Sequence, residues 1–208
     1  MVTQPKRTTG FLKGNPVNLW CPERRHCPMS PALELTSVPG WAVTSTRPPA
    51  DTSGRYWTVI AFGPAGNEVA REWSDDIYAA GRESGLRIHR IAEGDADEAC
   101  AALVADLAEA RVGWRLMLAG PASVCLRVRA KALECNIADD EMTIASTDTG
   151  GRDVQCVHCR TVTSVRADLE DVVPCTGCGR NLVVYYHVSR RQGAHLGFMI
   201  DAEEQVAS

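Results

Sequence analysis

Four cysteines near the end of the chain have the residue type and the spacing for metal chemistry. Cys156 and Cys159 bracket Val-His, Cys175 and Cys178 bracket Thr-Gly, and fifteen residues separate the two pairs. A Cys-x-x-Cys turn puts two thiolates on one side of an ion. Two such turns supply the tetrahedral corners that zinc takes, with Zn–S near ~2.3 Å. Iron accepts the same ligand set, so a rubredoxin-like electron-transfer centre is the alternative. His158, inside the first turn, could replace a ligand, but four cysteines already complete the site. A closed four-cysteine site has no open position for substrate, so the spacing predicts a structural zinc.

The remaining reactive residues form no comparable pattern. Cys100, Cys125 and Cys135 fall on helical segments and read as small core residues. Cys21 and Cys27 flank Pro-Glu-Arg-Arg-His, and His26 alone does not complete a second site, so free thiols are expected there. No histidine has an acid partner at motif spacing, which leaves no catalytic residues to assign from sequence.

Around the cysteines, TVTSVRADLEDVV between the pairs and NLVVYYHV and AHLGFM after them read as short strands and turns. This is the layout of a zinc ribbon. A domain of that size buries little surface, and a structural metal is a usual remedy. Upstream, strand and helix signals alternate. RYWTVIAFG, LRIHRI, WRLMLAG and EMTIAS read as strands. Between the first two, a helix is expected from Asn67 as N-cap, burying Val69, Trp73, Ile77 and Tyr78. Asp95, Asp97 and Glu98 suit the start of a second helix that buries Ala99, Cys100, Leu103, Val104 and Leu107. Pro121 opens a third, with Val124, Val128, Ala132 and Cys135 inward. Helices between successive strands imply a small doubly wound parallel sheet. The expected organisation is an irregular arm over 1–50, an α/β domain over 51–149 and a zinc ribbon with its tail over 150–208, with residues 148–155 as the linker.

Composition narrows the partners. A 45% hydrophobic, 23% charged chain of 208 residues is that of a soluble globular protein. Its net charge of −4 with scattered Lys and Arg argues against nucleic acid. No apolar run is long enough for a transmembrane helix, and the first residues lack the apolar centre of a signal peptide, so no membrane partner and a cytoplasmic location are expected.

IAFGPAGNEVA is a strand, a glycine-bearing turn and a helix start, a setting that can hold phosphate. It lacks the full G-x-G-x-x-G and a Walker lysine; Glu93 and Asp95 could stand near a ribose but also simply begin the next helix. LMLAGPASV resembles the Cys-Gly-Pro turn of the nicotinamide domain in ferredoxin-reductase-type flavoproteins, with Ala119 where that family has its cysteine. That resemblance implies a stand-alone nucleotide-dependent reductase as one alternative, although residues 1–50 are too short and too irregular to be expected to form a flavin barrel.

The ribbon carries a closer resemblance. The two Cys pairs, the Leu-Val-Val-x-x-His strand and the Ser-Arg-Arg…Leu-Gly tail resemble the small-subunit family of bacterial dimethylamine monooxygenase, the DmmA-like family. The resemblance implies a multi-subunit system that demethylates a secondary amine with O2 and NADPH, giving methylamine and formaldehyde. It implies haem in one partner subunit, and FMN with a 2Fe-2S cluster in a reductase subunit. This chain would be an accessory subunit. Tyr185, Tyr186, His187, Arg190, Arg191 and His195 crowd one short region, and Tyr and Arg are enriched at interface hot spots. They are read as the outward-facing set that docks on a larger subunit.

Overall fold

The computed structural model describes residues 31–82 and 85–200. The arm's Cys21, His26 and Cys27 lie outside them. Among the described residues there are two sheets. The first is parallel throughout, in the order β2-β1-β3-β4, from β1 (Tyr56–Phe62), β2 (Leu86–Ile91), β3 (Trp114–Gly120) and β4 (Met142–Ser146). The helices α1 (Gly63–Ala79), α2 (Ala96–Leu107) and α3 (Ala122–Glu134) connect them.

The central strands are apolar on both sides because both faces are covered. Trp57, Val59, Ala61, Met117 and Ala119 pack with Val69, Trp73 and Ile77 of α1. On the opposite face Ile60, Phe62, Leu116 and Leu118 pack with Ala99 and Leu103 of α2 and Val124 and Val128 of α3. The sheet is therefore doubly wound, as the alternating pattern implied.

Three local expectations need correction. α1 starts at Gly63, directly off β1, and not at Asn67, which lies a turn inside it. Gly63 makes this possible: its φ of +63° turns the strand into the helix at once, and Pro64 suits the first turn. Tyr78 is 51% exposed and Val104 is 45% exposed, each one step of about 100° around its helix from a buried neighbour, Ile77 and Leu103. Asp106 takes the inward place on α2 that the apolar reading left empty.

Asp106 organises the amino-terminal edge of the parallel sheet. Its carboxylate accepts from the Thr58 hydroxyl at 2.6 Å, from His89 Nε2 at 2.9 Å and from Arg87 at 3.1 Å. Trp114 Nε1–H in turn donates to Thr58 Oγ1 at 3.1 Å. One acid thus ties the last turn of α2 to β1, β2 and β3. Burial alone would push this carboxyl up, but the Thr58, His89 and Arg87 hydrogen bonds outweigh it and hold Asp106 below the usual carboxylate range.

The second sheet is mixed, in the order β6-β5-β9-β8-β7, from β5 (Gly151–Cys156), β6 (Val162–Arg166), β7 (Val172–Pro174), β8 (Asn181–Ser189) and β9 (Ala194–Met199). β5 occupies most of the stretch expected as linker. Its burial alternates, and it pairs antiparallel with β6 and parallel with β9. Residues 31–50 hold two 3-10 turns, Leu33–Leu35 and Gly40–Ala42, and no longer element. Val38 and Ala42 nevertheless join Ala122 and Leu126 of α3 and Val188 of β8 in one buried cluster. Ser37 Oγ accepts from Val188 N–H at 2.9 Å, which pins that segment to β8.

Asp106→Asn replaces a triply bonded acceptor with an amide whose NH2 faces donors. The variant should lose about 2–3 kcal/mol of stability, read by urea denaturation at neutral pH. A change below about 0.5 kcal/mol would contradict the role given to Asp106.

Candidate metal centre and docking face

Each Cys-x-x-Cys turn sits at the end of a strand and repeats the same hydrogen bonds. Arg160 N–H donates to the Cys156 carbonyl at 2.8 Å, as Gly179 N–H does to Cys175 at 2.9 Å. Cys156 N–H donates to Thr161, as Cys175 N–H does to Arg180. Both knuckles need a left-handed residue after the second cysteine. Gly179 takes it at φ +72° without cost, whereas Arg160 takes it at φ +64° with a Cβ in a disfavoured place.

The turns bring the four sulfurs of Cys156, Cys159, Cys175 and Cys178 within 4.8 Å of one another. Across the knuckles, Cys156 and Cys178 sulfurs are 3.8 Å apart and those of Cys159 and Cys175 are 3.5 Å apart. Four sulfurs around one zinc at ~2.3 Å stand roughly 3.8 Å from each other, so the spacing fits. Acid–base behaviour points the same way. Hydrogen bonds from Thr161 pull the Cys159 thiol down to about 6. Cys178 receives the Arg180 N–H, yet burial and the facing sulfurs push it up to about 11. Negative charge on Cys159 thus works against ionising Cys178, an opposition that a cation between them would relieve. The donor set could hold a metal ion such as zinc, which would supply a fixed tetrahedral tie between the knuckles. Val154, Val173, Leu182 and Val184 pack against the buried Cys156 and Cys175.

The six residues expected to face outward divide. Tyr185, His187, Arg190 and Arg191 are exposed and Tyr186 is half-buried. His195 is fully buried, which overturns its outward placement. β9 pairs with β5 so that His195 lies opposite Val154 on the inner face, while Leu196 and Phe198 take the outer one. Arg190 is engaged with Asp139 at 3.1 Å. Alternation along β8 puts Tyr185 on the outer face with Val183, beside Phe198, just before a register shift between Val184 and Val188. Their rings meet edge to face, 5.1 Å between centroids, with 49% and 41% exposure. Val172 of β7 continues this apolar face. Phe198 and Val172 were missed from sequence; the alternation of AHLGFM contained the signal for Phe198.

Below the sheet, the Arg152 guanidinium is buried. Its donors reach the carbonyls of Ala167 (2.7 Å) and Ala42 (3.3 Å) and His195 Nε2 (3.3 Å). Nε2 must accept there, so His195 is neutral with its proton on Nδ1, a buried atom that has no hydrogen-bond partner among the described residues. Burial, and then Arg152, push His195 down to about 4; the Tyr185 backbone lies near enough to oppose them without reaching hydrogen-bond geometry.

At the carboxyl ends of β1 and β3, where an open α/β sheet usually binds its ligand, the Glu93 side chain lies against Gly63 at the start of α1. A phosphate at this helix end would meet a carboxylate. Among the described residues, no helix is long and apolar enough to cross a membrane.

A doubly wound α/β sheet followed by a β sheet with a zinc-ribbon-like cluster of four cysteines is thus the class that the fold and site define. Comparison with known proteins narrows it. Residues 153–198 match the family model for the C-terminal domain of DmmA-like dimethylamine monooxygenase subunits. The chain is also 39% identical over 98 residues to the heme-dependent oxidative N-demethylase delta subunit of Ectopseudomonas mendocina (strain ymp). That match covers 47% of this chain and 55% of the relative, so the chain spans about half the relative's length. The resemblance drawn from the ribbon's residues is borne out.

His195 gives a signed pH dependence. Its folded pKa of about 4 lies below the unfolded value of about 6.5, so the stability it contributes is complete above the unfolded value and is lost as pH falls towards 4. From pH 7.5 to 5 this one group should cost about 2 kcal/mol. His195→Gln, which keeps an acceptor for Arg152, should flatten the loss in paired denaturation curves. Equal slopes for the two proteins would contradict the burial of a neutral imidazole.

Proposed function

We propose that this chain is an accessory subunit of a multi-subunit, haem-dependent oxidative N-demethylase, and that its ribbon docks it on a larger subunit. The observation that carries this reading is the matched ribbon itself: a four-cysteine cluster under a sheet whose outer face exposes Tyr185 and Phe198 in contact. Exposed aromatic residues at the centre of a patch are the usual anchors of an interface.

In this reading Cys156, Cys159, Cys175 and Cys178 hold zinc, whose role is to fix the ribbon. The docking face consists of Tyr185, Tyr186, His187 and Arg191, joined by Phe198 and Val172, with Arg190 contributing while paired to Asp139. The reaction is oxidative demethylation of dimethylamine to methylamine and formaldehyde with O2 and NADPH. Haem, FMN and the 2Fe-2S cluster belong to partner subunits, and the complex is cytoplasmic. The alternatives, a stand-alone nucleotide-dependent reductase or a rubredoxin-like carrier, have less support. The Glu93 side chain lies against Gly63 at the start of α1, where its carboxylate would repel a phosphate.

The double variant Tyr185→Asp/Phe198→Asp should remove the partner subunits from a pull-down while keeping one zinc per chain and the wild-type circular dichroism. Partners retained in full would overturn the docking face. Tight binding of NADPH by the isolated chain would overturn the accessory role in favour of the reductase.

A further inference from the structure

A cleft of about 590 Å3 opens at the amino-terminal edge of the parallel sheet, away from both the cysteine cluster and the docking face. Its volume falls within the range that small molecules occupy. Tyr56, Leu86, Ala110 and Trp114 supply apolar and aromatic walls. The polar groups deeper in it are committed to one another: Thr58 and Arg87 to Asp106, and Arg87 also to Glu109. Arg111 differs. Its guanidinium lies over the Tyr56 ring at 6.0 Å, and among the described residues it has no carboxylate partner.

From this pairing of flat walls with one uncommitted cation, we infer that the cleft binds a planar aromatic ring bearing a carboxylate. The ring would lie against Tyr56 and Trp114, and the carboxylate would be met by Arg111. Arg87 bridges Asp106 and Glu109 and offsets one of their two charges, which lowers the repulsion that two bare carboxylates would impose on an anion. The ligand needs no polar group on its buried end, because among the described residues no buried side-chain donor or acceptor of the cleft lacks a partner. This inference does not rest on the proposed demethylase role and can fail or stand without it.

The test uses the full chain and three probes of equal shape: 2-naphthoate, the neutral 2-naphthamide and the cationic 2-naphthylmethylammonium. Amide resonances of Tyr56, Leu86, Ala110, Arg111 and Trp114 should shift saturably with 2-naphthoate. The carboxylate should bind at least about fivefold tighter than the amide, the worth of one modest charge-assisted hydrogen bond. Arg111→Gln should erase that difference, and Ala110→Trp should fill the cleft and abolish binding while the remaining spectrum stays dispersed. The inference is overturned if no probe saturates at millimolar concentration. Shifts that fall on Tyr185 and Phe198 instead, or amide or ammonium binding as tight as the carboxylate's, overturn it too.

Discussion

Four cysteine sulfurs lie within 4.8 Å of one another, close enough to share one metal ion. The second sheet is built around that cluster. Most of its five strands are short, and β7 has only three residues. Its interior is a single small cluster in which Cys156 and Cys175 are themselves core residues. Such a sheet buries little apolar surface with which to define its own edges, and a metal tying the two knuckles would do what a larger core does elsewhere. Such a tie would also bear on what the sheet shows to solvent, because β5 ends in the first knuckle while sharing its register with β9. Fixing Cys156 fixes His195 inward and Phe198 outward.

The parallel sheet stands on different physics. Its faces are filled by apolar side chains from both sides, and its polar groups are collected at the edges. The Asp106 cluster closes the amino edge. At the carboxyl edge a close strand-to-helix turn at Gly63 leaves the helix start facing Glu93. The two sheets meet through α3 and the Val38–Ala42 segment, whose Ala42 carbonyl accepts from the buried Arg152, itself in contact with His195 of the same sheet. That contact places a cation and a neutral imidazole side by side, and it holds only while the imidazole stays neutral.

The parallel sheet was legible because helix and strand signals alternated strongly and the apolar runs were unambiguous. The cysteine spacing was legible because few geometries suit it. What sequence reasoning lost were features set by register and by rotation around a helix. Tyr78 and Val104 each sit one residue off the buried stripe, a difference that periodicity does not resolve for mixed helices. Asn67 has the chemistry of a cap, but a glycine that tolerates positive φ allowed the helix to begin five residues earlier, with Phe62 at the cap position. His195 was grouped with its neighbours on chemistry alone, whereas strand pairing with β5 decided its side. The Asp106–Thr58–His89–Arg87 cluster had no sequence signal at all, since its members come from three separate elements and meet only in the folded sheet.

The central claim is that a metal held by the four cysteines organises the second sheet and its aromatic face while the parallel sheet stands independently. Hydrogen exchange of the full chain, with metal bound and after chelation, tests it most directly. Chelation should remove protection from β5 to β9, including the amides of Tyr185 and Phe198, and leave β1 and β3 protected. Unchanged protection in β8 and β9 after complete metal removal would contradict it.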